Sequence, residues 1–147
     1  MLEEWRDDPL NPYQWIFSLA WTDANAYVEL LSELRFGRGP LPDLDPTDTF
    51  WILEDHRLVG EIRVRYGVGE RKGFFGNVGY SVRRCARGRG IATAALQLAL
   101  GVVRDHGLTQ ALLTCAETNA ASAGVIEKFA PRRLENVDHH ADPTGAT

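Results

Sequence analysis

The stretch that decides the fold runs from Asn77 to Ala92 and reads NVGYSVRRCARGRGIA. A short β-prone run, Val78 to Val82, leads through an arginine-rich bend into an alanine-rich helical pattern. The first N–H groups of a helix have no acceptor within the helix, and its dipole places roughly half a positive charge there. Gly88 and Gly90 lack the Cβ atoms that would keep an anion away from those donors. The stretch therefore predicts an anion site at the start of the helix.

Two common phosphate loops do not fit this site. A nucleoside triphosphate loop ends in Gly-Lys followed by Ser or Thr, whereas Gly90 is followed by Ile91. A dinucleotide loop lies near the start of its domain and is followed about 20 residues later by an acidic residue. This loop lies past the middle of the chain, and Gln110 stands at that distance.

The segment RGRGIA resembles the Arg/Gln-x-x-Gly-x-Gly/Ala signature of the GNAT superfamily of N-acetyltransferases, with Arg87, Gly90 and Ala92 at the fixed positions. The resemblance extends from Phe50 through Leu134, more than half of the chain. Within it, the sequence is similar to a bacterial branch of small acetyltransferases. It implies an α/β (α+β) fold, with a mixed, mostly antiparallel sheet flanked by helices. We expect one such domain over residues 1–137 and a flexible tail over residues 138–147.

The resemblance also implies acetyl-CoA as the co-substrate, with its pyrophosphate in the loop. The expected contacts there are Arg87, Gly88, Arg89, Gly90, Ile91, Ala92 and Thr93. In this superfamily the pantetheine arm pairs with the strand that carries the loop, here at Tyr80, Ser81 and Val82. These main-chain groups could instead bond a neighbouring strand, as buried backbone usually does. The four arginines of the bend are either phosphate contacts or solvated loop charges.

A second family segment begins at Asn119, in the sequence Asn-Ala-Ala-Ser. The resemblance implies that Asn119 and Ser122 lie beside the pantetheine. Asparagine is also a common helix N-cap, so Asn119 could serve either purpose or both.

Acyl transfer to an amine requires a base for the amine proton and benefits from an acid at the departing thiolate. Many superfamily members place a tyrosine in the last helix as that acid, but the matching residue here is Ile126. For the base we consider Glu61, with Asn77 orienting a water. The alternative for Glu61 is an exposed strand glutamate paired with Arg63 or Arg83.

Hydrophobic periodicity predicts the elements around the loop. We expect a helix between Thr22 and Phe36, a loop over residues 37–48, and another helix from Ile91 that ends at Gly107. The predicted strands are Thr49–Glu54, Leu58–Tyr66, Gly76–Val82 and Ala111–Cys115, with a last helix over Asn119–Phe129. A strand, a helix and a further strand predict a parallel crossover. The family's opening and closing strands have no counterpart in the pattern, so we expect exposed sheet edges and a homodimer.

The composition limits the partners. The chain has 147 residues and a formal charge of −4, and outside the bend it lacks a basic patch, which argues against nucleic acid. Without a long apolar run or a secretion signal, we expect a cytoplasmic protein with no membrane contact. Cys85 is either an activated thiol or incidental, and Cys115 is expected to be buried. His139 and His140 lack ligand spacing, so no metal is expected.

The predicted function is therefore acetyl transfer from acetyl-CoA to a primary amine on a small molecule or peptide, by direct attack of the amine. The alternative is a degenerate acyl-CoA-binding module without turnover, which Ile126 favours. A purely structural fragment is a third possibility.

Overall fold

The computed structural model describes residues 23–39, 45–67 and 76–134. Its helices are α1 (Ala24–Leu34), α2 (Ile91–Asp105) and α3 (Ala120–Glu127), its strands are β1 (Thr47–Glu54), β2 (Arg57–Arg65) and β3 (Val78–Val82), and a 3-10 turn covers Arg84–Ala86. The predicted tail lies outside the described residues. So do the two chain ends, where the family has its opening and closing strands.

Defined capping residues mark the boundaries of α1 and α2. Asp23 begins α1, and its Oδ1 accepts from the N–H groups of Asn25 at 2.9 Å and Ala26 at 3.1 Å. Gly90 is the N-cap of α2 with φ 78°, and Gly107 follows its end with φ 82°. The predicted stop at Gly107 is thus confirmed, because a glycine there adopts the left-handed conformation that closes a helix.

The strands form one antiparallel sheet in the order β1-β2-β3. The three predicted strands before the loop are confirmed, and β1 begins two residues earlier than expected, at Thr47. A two-residue turn, Asp55 and His56, joins β1 to β2 as a hairpin. The arrangement is α+β, as expected, and the pairs within the described residues are all antiparallel.

The core lies between the sheet and α2. Buried Ile62, Val64 and Val78 pack against an apolar stripe of the helix. The stripe consists of Ala95, Leu96, Ala99 and Val103. This stripe recurs at the spacing of three and four residues that one helix face requires. The sequence pattern of α2 therefore fixes which way the helix faces, and so where its first turn lies.

An irregularity in β2 supports the loop before α2. Ile52 of β1 pairs with Gly60 of β2, but the next residue, Leu53, pairs with Leu58, so β2 has one extra residue at this point. The extra residue is Val59, which packs with Val82 and Ala86 beneath the loop. The bulge thus places an apolar contact under the turn that leads into the helix.

The predicted strand Ala111–Cys115 is wrong, and with it the parallel crossover. Residues 111–116 form no strand. Next to the start of β3, the Asn77 N–H donates to the Leu112 carbonyl at 2.7 Å. An apolar run becomes a strand only where a neighbour pairs with it repeatedly. Cys115 is exposed, contrary to expectation.

Candidate functional site

The loop before α2 presents open backbone. Gly88 and Gly90 have φ values of 73° and 78°, and a Cβ at either position would meet no protein atom within 4 Å. Gly90 provides no side chain to cap the helix, so the amides of Ile91, Ala92 and Thr93 lack both an intrahelical acceptor and a capping oxygen from that residue. The glycines thus hold a left-handed turn and leave space in front of the helix start.

Two arginines of the bend have defined partners. The Arg87 Nε donates to the carbonyl of Val82 at 2.9 Å, which ties the loop to the end of β3. The Arg89 guanidinium pairs with both oxygens of Glu54, at 2.9 and 2.6 Å. Neither side chain is simply a solvated charge, and Arg84 in the same bend is exposed.

The lysine that caps the end of α3 contacts the first turn of α2. The Nζ of Lys128 donates to the Thr93 Oγ1 at 3.3 Å, on the first turn of α2. A cation there adds to the positive end of the helix dipole. Sequence reasoning missed this residue, since 35 positions separate the pair and no pattern links them.

In the described residues β3 is the edge strand of the sheet, and residues 111–116 form no strand beside it, so we call the space on that side of β3 the gap. The Arg65 N–H donates to the Asn77 carbonyl, and the Arg83 N–H donates to the Val59 carbonyl, both at 2.8 Å. Because bonding direction alternates along a strand, odd-numbered residues of β3 face β2 and even-numbered ones face away. The main-chain groups of Tyr80 and Val82 therefore point toward the gap between β3 and residues 112–116, whereas those of Ser81 face β2, opposite Glu61.

The first turn of α3 contacts β3 through Tyr80. The Asn119 Oδ1 accepts from the Ser122 N–H at 3.0 Å, so the predicted capping role of Asn119 is confirmed. The Ser122 Oγ lies 2.9 Å from the Tyr80 hydroxyl, which also donates to the Ser122 carbonyl at 3.3 Å. The structure thus brings Tyr80, Asn119 and Ser122 together. The sequence did not predict the contact of the Tyr80 hydroxyl with Ser122, because the two residues are 42 positions apart.

Comparison with known proteins identifies the family. The family model for the acetyltransferase (GNAT) domain matches residues 4–130, which is most of the chain. This chain belongs to the GNAT family. No curated protein and no solved structure matches it. Membership supports acyl-CoA N-acyltransferase activity as a class, and GNAT domains generally use acetyl-CoA as the co-substrate.

The other face of the GNAT sheet buries a polar cluster. The side chains of Glu61 and Arg63 are each 2% exposed, and Arg63 Nη2 lies 2.9 Å from Glu61 Oε1. Glu61 Oε2 accepts from the Tyr27 hydroxyl of α1 at 3.0 Å. Burial raises the pKa of the Glu61 carboxyl, against the lowering effects of the Arg63 charge and of the Tyr27 hydrogen bond. Glu61 is thus paired with Arg63, as one alternative held, but it is buried rather than exposed.

Asn77 is a clamp at the start of β3. Its side chain is fully buried, with Nδ2 donating to the Arg65 carbonyl at 3.0 Å and Oδ1 accepting from the Leu112 N–H at 2.8 Å. Each end of an amide side chain has capacity for a further hydrogen bond. The idea that Asn77 orients a water stays a prediction.

An apolar groove of about 440 Å³ lies on the β1 side of α2. Trp51 and Leu53 of β1 and Leu98 of α2 line it and are exposed. Ile91, a predicted cofactor contact, also lines it, but no residue of β3 does, so the groove lies apart from the β3 edge.

No metal centre or membrane helix is found in the described ranges. Among residues 23–39, 45–67 and 76–134, no three or more His, Cys, Asp or Glu side chains are grouped to hold a metal ion. Within the same ranges, no helix combines the length and apolarity needed to cross a bilayer. His139 and His140 lie outside the described residues.

Proposed function

We propose that this GNAT domain transfers an acetyl group from acetyl-CoA to a primary amine on a small molecule or peptide. The observation that carries the proposal is the open loop at the start of α2, where both glycines face empty space. There the amides of Ile91, Ala92 and Thr93 would bind the pyrophosphate, and Lys128 would add a nearby positive charge.

The gap at the edge of β3 suits the pantetheine arm. Tyr80 directs its main-chain groups into it, Val82 contributes its N–H because its carbonyl already accepts from the Arg87 Nε, and Asn119 and Ser122 lie on the opposite side. An extended arm with amide groups can bond a free strand edge as a further strand would. The thioester would then lie along β3, and the acceptor amine would attack its carbonyl carbon directly.

Glu61 is the proposed base. It lies opposite Ser81, on the strand next to β3, and its raised pKa brings the carboxyl closer to the range in which it accepts protons at neutral pH. Because the carboxyl is buried, the proton must reach it through a water or through the Tyr27 hydroxyl that donates to it. Asn77 remains a candidate for holding such a water.

Thiol release with a panel of primary amines tests the proposal. We expect coenzyme A to be released from acetyl-CoA in an amount that matches the acetylated amine. Reactions without an amine serve as the control for hydrolysis. Tight binding of acetyl-CoA with no release by any amine would contradict the transfer reaction and support a binding module.

A further inference from the structure

We propose that the Tyr80 hydroxyl donates the proton that the departing coenzyme A thiolate takes up. This role rests on the transfer reaction proposed above. It assigns the catalytic acid to a residue of β3. The position in α3 at which many superfamily members have a tyrosine acid is an isoleucine here, Ile126.

The hydroxyl is held in place from across the gap. Ser122 Oγ lies 2.9 Å from it and the Ser122 carbonyl 3.3 Å, and the Ser122 amide is itself bonded to the Asn119 Oδ1 at 3.0 Å. The main chain of Tyr80 also faces the gap, as its position in the β3 ladder shows. One residue thus offers both a backbone edge to the pantetheine arm and an oriented hydroxyl at the wall of the same gap.

The hydroxyl lies where a long side chain at residue 126 would reach. Residues 122 and 126 are four apart in α3 and share a face. Helical side chains lean toward the helix N-terminus, so a tyrosine at 126 would extend over Ser122. Tyr80 brings a hydroxyl to that place from the opposite side of the gap.

The proton balance of the step is complete. The amine nitrogen forms a bond to the acetyl carbonyl carbon, and the carbon–sulfur bond breaks with its electron pair on sulfur. The phenolic proton of Tyr80 moves to sulfur, which gives the free thiol. The amine gives up one proton to the base, and the tyrosinate regains one from solvent through the Ser122 hydroxyl.

The surroundings keep this hydroxyl protonated. Burial raises the pKa of Tyr80, the hydrogen bond from Ser122 opposes that rise, and the charge of Cys115 adds to it. At neutral pH the side chain is therefore a neutral donor, as a general acid must be before the thiolate departs.

The test compares Tyr80→Phe with the parent chain in steady-state turnover and in calorimetric titration with acetyl-CoA. We expect kcat to fall by about 100-fold, with the Kd for acetyl-CoA unchanged within about twofold. Tyr66→Phe is the matched control, because the Tyr66 hydroxyl donates to Asp48 at 2.8 Å on another part of the sheet. It should leave kcat unchanged.

A second variant separates the acid from a structural role. Tyr80→Phe combined with Ile126→Tyr restores a hydroxyl over Ser122, and we expect it to recover about tenfold or more of the lost kcat. A Tyr80→Phe chain that turns over like the parent, or one that is slow because it no longer binds acetyl-CoA, would overturn the assignment. A parent chain that binds acetyl-CoA but never releases thiol would overturn the proposed function itself.

Discussion

At the scale of single residues, the buried pair on β2 shows how a local pattern acquires its meaning from the fold. Glu61 and Arg63 are two apart on one strand, so their side chains emerge on the same face. That much is evident from alternation. Their burial is not, because it depends on the cover of that face, to which Tyr27 of α1 contributes a hydroxyl bonded to Glu61.

The raised pKa of Glu61 predicts a pH-dependent stability. Below about pH 4.3 both the folded and the unfolded chain hold this proton, and above that the unfolded chain loses it first. The folded chain binds this proton more tightly, and this contributes stability at low pH. That contribution is lost as pH rises through the folded pKa, at about 1.4 kcal/mol per pH unit. Relative to Glu61→Gln, the parent should therefore lose unfolding free energy over this window, as measured by urea unfolding.

Glu33 provides a control of opposite sign. The hydrogen bond from Arg38 lowers the pKa of the exposed Glu33 carboxyl. The unfolding free energy of the parent should therefore rise slightly relative to that of Glu33→Gln as pH rises. If the parent also gained stability over Glu61→Gln with rising pH, the charge of Arg63 would outweigh burial at Glu61.

At the scale of elements, the hairpin between β1 and β2 is strained at its turn. Asp55 and His56 have φ values of 47° and 62°, the left-handed region that two-residue turns of this kind require. A side chain with a Cβ adopts it at a cost of about 1 kcal/mol, which glycine avoids.

His56→Gly should therefore raise the unfolding free energy by about 0.5 to 1 kcal/mol. Urea unfolding near neutral pH measures the change. His56→Ala retains the Cβ and should show no such gain. Equal stabilisation by both variants would mean that the histidine ring, and not the backbone conformation, is the source of the strain.

The elements also show what periodicity can and cannot reveal. Helix α2 and strand β2 were predictable, because α2 buries one apolar stripe and β2 places Ile62 and Val64, two residues apart, in the core. Residues 111–116 were not, since an apolar run reads as a strand whether or not a neighbour pairs with it. At the end of α3, no glycine marks the corner, yet Ala130 adopts a φ of 48° there. A left-handed residue without glycine leaves no trace in the sequence.

The candidate site likewise has parts that the sequence predicted and parts that it did not. Gly88 and Gly90 were recognised from local sequence, because a loop that approaches an anion needs them. The contacts of Lys128 with Thr93 and of Tyr80 with Ser122 join distant parts of the chain. No spacing rule connects such pairs, so only the folded structure reveals them.

At the scale of the whole molecule, the sheet separates two environments. Its α2 face forms the apolar core, and its α1 face holds the buried cluster around Glu61. The β3 edge lies between them, next to the proposed cofactor gap. An amine near Glu61 and a thioester along β3 would thus meet at that edge. The homodimer expected from the sequence stays a prediction.

The proposed binding of a diphosphate at the start of α2 is tested most directly by calorimetric titration with acetyl-CoA. The variants to compare with the parent are Gly90→Asp and Gly107→Asp, at the two ends of the same helix. Both glycines have left-handed φ values, 78° and 82°, and open space around a new Cβ, so the cost to the backbone is matched. Only Gly90→Asp sets a carboxylate against the diphosphate.

We predict that the parent and Gly107→Asp bind acetyl-CoA with the same affinity and that Gly90→Asp releases no heat. Binding by Gly90→Asp at the parent's affinity, or the absence of binding by the parent, would contradict the assignment of the loop.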